Sequence, residues 1–180
     1  MSRADSETFL IFSESMMANW NQSLYVLGGY QSGESDFGVR LARAPVADQQ
    51  AVAGLVLRVA TAMQSPTSTA VIVVTAHSDR QDRQDMSAEQ RRDSEYEASV
   101  GRVASAGQWF VDQLSALIGS PDASLVWPRI LMVRHSMGAA QLINKTPANE
   151  MQRAENRRVE VEVYASGMAA FPLDFETLPS

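Results

Sequence analysis

The chain has 180 residues, enough for one domain with appendages, and its 45% hydrophobic content can build a core, so disorder throughout is excluded. Lys and Arg number 15 against 21 Asp and Glu, and the resulting formal charge of -6 argues against a nucleic-acid partner, because phosphate binding needs a concentrated surplus of cations. Cysteine is absent, which removes disulfides, thiolate catalysis and cysteine-ligated zinc.

The amino end carries Asp5 and Glu7, and the apolar run at 9–12 is far shorter than a secretory h-region, so no signal peptide is expected. The weakly polar stretch 51–63, interrupted by Arg58, falls short of the roughly 20 residues that span a bilayer, and no transmembrane segment is expected. Residues 1–36 read as an N-terminal extension. A short strand at 9–12 is followed by a helix, capped by Ser13 or Ser15, with Met16, Trp20, Leu24 and Leu27 on one face. Gly28, Gly29 and Gly33 end it.

A main domain over 37–164 then alternates strand and helix. Residues 37–42 read as a short strand. Pro45 suits a helix start, and Val52, Leu55, Val56, Val59 and Met63 recur at helical spacing until Pro66. The β-branched run 71–74 predicts a strand buried on both faces, which delivers His77-Ser78-Asp79 to its carboxyl end, where open α/β sheets place ligands. Residues 80–97 carry both signs of charge and read as a solvated loop or helix surface. A second amphipathic helix follows with Val103, Ala106, Phe110, Leu114 and Leu117 or Ile118 inward, broken by Gly119-Ser120-Pro121. Residues 130–133 give a third strand. A polar stretch with one short helix reaches Asn156, where the last strand is predicted to begin, with Val159, Val161 and Val163 on one face and Glu160, Glu162 and Tyr164 on the other. Residues 165–180 form a C-terminal tail.

Taken singly, the polar residues have plain readings. Asp79 caps a turn, Arg102 is a surface arginine, and Arg157 and Arg158 pair with glutamates at a sheet edge. Taken in order they form a pattern. Ala76-His77-Ser78-Asp79 follows the second strand, Ala98-Ser99-Val100-Gly101-Arg102-Val103 leads into a helix, and Asn156-Arg157-Arg158-Val159-Glu160 opens the last strand. This series resembles the OmpA-like peptidoglycan-associated domain family, whose motifs are approximately Gly-His-Thr-Asp, Asn-x-x-Leu-Ser-x-x-Arg-Ala and Asn-Arg-Arg-Val-Glu. The resemblance covers 37–164.

It implies an α/β fold of the α+β sandwich kind, with helices packed on a mixed four-stranded sheet, placed in the periplasm or cell envelope. It also implies noncovalent binding of the peptidoglycan stem peptide through diaminopimelate. This ligand end is a zwitterion. Carried over by position, Asp79 accepts hydrogen bonds from its ammonium and Arg102 forks its carboxylate, with His77, Ser78, Ser99, Asn156, Arg157 and Arg158 lining or supporting the pocket.

Four departures bear on the ligand. Ala76 replaces glycine, Glu95 replaces asparagine, Ala98 replaces leucine, and a charged insertion occupies about 80–92. A scaffold subunit of a secretion or conjugation machine is the alternative implied, with the N-terminal extension and the tail around Phe171-Pro172-Leu173 as protein-contact surfaces. His77, Asp79 and His135 are the only hint of a metal site, and no His-Glu-x-x-His completes it. No nucleophile elbow or phosphate loop is visible, so neither catalysis nor a cofactor is expected.

Overall fold

The computed structural model describes residues 20–80, 84–119 and 126–166, apart from the side chain of Asn21. Four strands form one sheet: β1 (Trp20–Leu27), β2 (Ala70–Ala76), β3 (Ile130–Ser136) and β4 (Val159–Ser166), in spatial order β1-β4-β2-β3. β4 runs antiparallel to both β1 and β2, and β2 runs parallel to β3. Four helices accompany it among the described residues: α1 (Phe37–Ala42), α2 (Val46–Met63), α3 (Ala88–Ile118) and α4 (Glu150–Asn156). The expected α+β architecture, helices on a mixed four-stranded sheet, is present.

Two elements differ from expectation. Trp20, Leu24 and Leu27 lie on a strand, not a helix, because all of Trp20–Leu27 pairs with Leu27↔Val159 through Trp20↔Ser166 on β4. Those main-chain bonds outweigh a local spacing that also fits a helix. Met16, its proposed caps and the strand at 9–12 lie outside the described residues. The segment 37–42 is a helix, not a strand. Asp36 caps it, its Oδ1 accepting from Val39 N at 2.9 Å, and Phe37 and Leu41, one turn apart, are its buried residues.

β2 was expected to be buried on both faces. Instead Ala70, Ile72, Val74 and Ala76 are buried while Val71, Val73 and Thr75 are half-buried. The helices α2 and α3 cover one face only, so the burial follows the period-two pleat. β4 repeats the pattern with Val159, Val161, Val163 and Ala165 inward, as predicted. Each of the three valines contributes about 1.5–3 kcal/mol by leaving water.

Tertiary pins set the helix positions. Phe37 packs against Trp109 and Phe110, with ring centroids 5.3 and 6.0 Å away, and its amide donates to Ser105 Oγ, so α1 is fastened to α3. α3 begins within the charged segment because Ser87 and Gln90 form a reciprocal capping box. It buries Val103, Ala106, Phe110 and Leu114; Leu117 is exposed and Ile118 is the one packed against the core. At the end of α2, Arg129 donates to the carbonyls of Met63, Ser65 and Ser68, which satisfies acceptors the helix leaves open.

The antiparallel register decides where the site forms. Ala76, the last residue of β2, pairs with Val159, the first of β4, and Leu27, the last of β1, pairs with the same residue. The segments following Leu27 and Ala76 and the segment preceding Val159 therefore emerge at one end of the sheet.

Candidate ligand site

At that end the chain leaves β2 as His77-Ser78-Asp79. His77 N donates to the carbonyl of Arg158 at 2.9 Å, and Ser78 N to that of Gly138 at 2.8 Å. Gly138 has φ of 52°, a left-handed conformation that glycine takes without a Cβ penalty. Its amide donates to Ser99 Oγ at 3.0 Å, and the same hydroxyl donates to the Tyr96 carbonyl at 2.7 Å. Ser99 thus fastens α3 to the loop that holds Ser78.

Asp79 is 7% exposed and its carboxylate is occupied on both oxygens. Oδ1 accepts from Asn156 Nδ2 at 2.8 Å, Oδ2 accepts from Arg153 Nη1 at 3.0 Å, and Arg157 Nη1 stands 3.9 Å from Oδ2. Asn156 also donates to the carbonyl of Asn144 and accepts from its amide, which joins α4 to the preceding loop. The residue ends α4; β4 starts at Val159, three residues later than expected, because Arg157 N still donates to the Arg153 carbonyl.

Arg102 is the largest fully buried side chain, 1% exposed. Its Nε donates to the Glu34 carbonyl at 3.0 Å, its Nη1 donates to the His77 carbonyl at 2.9 Å, and its guanidinium carbon lies 5.3 Å from the centre of the Tyr30 ring. Burial lowers its pKa to about 10, so it stays cationic at neutral pH. Among the described residues no carboxylate forms an ion pair with it. Two carbonyls and a ring face offset part of the cost of taking the charge out of water.

Arg157 donates from Nε to the Tyr30 carbonyl at 2.6 Å and pairs with Glu150, bringing the segment after β1 against α4. Arg158 bonds Glu160 at 2.7 Å and the Gln141 carbonyl at 3.1 Å. His77 is fully buried, its Nε2 3.2 Å from Glu160 Oε1 without the alignment of a hydrogen bond. Burial first and Arg158 second push its pKa down to about 4 against the opposing pull of Glu160, so the ring is neutral at pH 7. The Ser78 hydroxyl and the Tyr30 hydroxyl are buried with no hydrogen-bond partner among the described residues.

Three sequence motifs separated by up to about 80 residues therefore meet around one strand end. The chain resembles the OmpA-like domains in motif order and in architecture. No family model matches the sequence, and no curated protein matches it. Among solved structures it is similar to the cell wall anchor of the T6SS from Pseudomonas aeruginosa, at 24% identity over 81% of this chain and 82% of that one, with a TM-score of 0.39. It is also similar to the peptidoglycan-associated lipoprotein from Burkholderia pseudomallei (14% identity, 77% and 88% covered, TM-score 0.44) and to the periplasmic domain of Helicobacter pylori MotB (19%, 68% and 65%, TM-score 0.33).

Against the OmpA-like motifs, every expected site residue is gathered at the same end of the sheet, yet most of their polar atoms already have internal partners. Ala76, where the motif has glycine, is fully buried as the last residue of β2, and Glu95 is buried on α3. Of the charged insertion, 81–83 lie outside the described residues and 88–92 form the first turns of α3. Sequence reasoning missed Arg153, Tyr30, Gly138 and the Glu34 carbonyl. Arg153 had a usable signal: it precedes Asn156 and Arg157 by three and four residues, the spacing of one helical face. The others arrive from distant segments and leave no local trace.

Proposed function

We propose that this domain binds peptidoglycan noncovalently through the zwitterionic end of a diaminopimelate-containing stem peptide, and thereby holds an envelope protein or complex to the cell wall. The observation that carries this reading is the bond from Arg102 to the His77 carbonyl, which sets a buried guanidinium against the strand end that bears Asp79 two residues later. A cation and an anion so fixed match a ligand carrying an ammonium and a carboxylate on one carbon. The buried, unpartnered Ser78 hydroxyl beside Asp79 adds a donor and acceptor that a polar ligand group would satisfy.

A scaffold subunit of an envelope machine, its site retained for structure, is the second reading. The exposure of Asp79 and Arg102, 7% and 1%, and their internal partners favour it. Residues 1–36 and the tail 165–180 are then its candidate partner contacts.

Retention on purified sacculi separates the two. The first reading expects wild type to sediment with sacculi and Asp79→Ala and Arg102→Ala to lose at least about tenfold in binding, with their folded state verified by circular dichroism. No retention of wild type supports the scaffold reading instead.

A further inference from the structure

Asp79 is already engaged by a cation from its own chain. Arg153 reaches from α4 and places Nη1 at 3.0 Å from Oδ2, while Oδ1 is held by the neutral amide of Asn156. The two partners differ in kind. Asn156 is buried and tied on three sides, to Asp79, to the Asn144 amide and to the Asn144 carbonyl, so it is fixed. The Arg153 side chain is 29% exposed, at the water-facing side of the pair, and its Nη1 also lies 3.5 Å from the carbonyl of Arg80, at the start of the charged insertion. Arg157 stands behind at 3.9 Å, buried and held by the Tyr30 carbonyl and by Glu150.

We infer that Arg153 is an internal competitor for the ligand's ammonium: its guanidinium occupies the Asp79 oxygen that an incoming ammonium would use, and the ligand binds only in the fraction of molecules where Arg153 has swung away. The inference rests on the proposed function, because it assigns the regulation of that site. Its chemistry is ordinary competition between two cations for one carboxylate oxygen. The Arg153 end of the pair is open to water, and the penalty on affinity equals the inverse of the open fraction. Arg102 takes no part, since its partners are the carbonyls of Glu34 and His77 and the ring of Tyr30. Arg153 therefore opposes the ammonium half of the ligand and leaves the carboxylate half untouched.

The test is calorimetric titration of the full chain with free meso-diaminopimelate and, separately, with pimelate, which keeps both carboxylates and lacks both ammonium groups. Arg153→Gln is expected to tighten diaminopimelate binding about three- to tenfold and leave pimelate binding unchanged; Arg153→Lys, which keeps the charge, is expected to stay within about twofold of wild type for both. Gain of diaminopimelate binding by Arg153→Gln from an undetectable wild-type level equally supports the inference. Equal or weaker binding by Arg153→Gln with wild type binding normally overturns the inference and leaves the proposed function standing. An equal gain for pimelate overturns it too, because the effect is then one of general charge or fold. Binding of diaminopimelate by none of the three proteins overturns both.

Discussion

His77 shows how a residue can be legible in sequence and opaque in role. Its position beside Asp79 marked it as part of the candidate site, but its ring is fully buried next to the Arg158–Glu160 pair, and its pKa falls to about 4. The folded state therefore binds fewer protons than the unfolded chain between pH 6.5 and about 4, and stability contributed by the neutral ring is complete above 6.5 and lost as pH falls through that window. The loss amounts to roughly 3 kcal/mol. Melting temperature measured against pH is expected to drop more steeply below 6.5 in wild type than in His77→Gln; parallel curves would show that the ring does not titrate differently on folding. Asp79, Asn156 and Arg102 were legible because their motifs stand in fixed order. Tyr30 was not, since its contact with Arg102 crosses from the segment after β1 to α3, and for Arg153 the helical spacing gives its face but not its reach across to Asp79.

The same division holds for elements. α2, α3 and β4 were readable because long runs of apolar residues keep one period. β1 and α1 were not. Trp20, Leu24 and Leu27 fit a helical stripe, and only the eight-residue ladder to β4 makes the segment a strand. The six residues of α1 are too few to show a period, and a cap and an aromatic cluster decide them. Asp36→Ala is accordingly expected to cost about 1 kcal/mol in urea unfolding, by orphaning the Val39 amide. Arg129→Ala is expected to cost more, about 1–3 kcal/mol, because three carbonyls at the end of α2 lose one donor group together. An Arg129→Ala protein as stable as wild type would show that water replaces the guanidinium without penalty.

At the scale of the molecule, the antiparallel pairing of β4 with both β1 and β2 converts three remote segments into one site. That convergence follows from strand order β1-β4-β2-β3, which no local pattern states. The motif at 156–160 thus has two jobs: Val159 begins the buried face of β4, and Asn156 and Arg157 gather Asp79, the Asn144 loop and the segment around Tyr30. The proposed ligand binds at this end of the sheet. The most direct measurement is amide chemical-shift mapping of the labelled chain during titration with a diaminopimelate-containing stem peptide. Shifts centred on Ser78, Asp79, Arg102 and Asn156, saturating with one peptide per chain, are the predicted result; no shifts, or shifts confined to the far end of the sheet around Trp20 and Ser166, would contradict it.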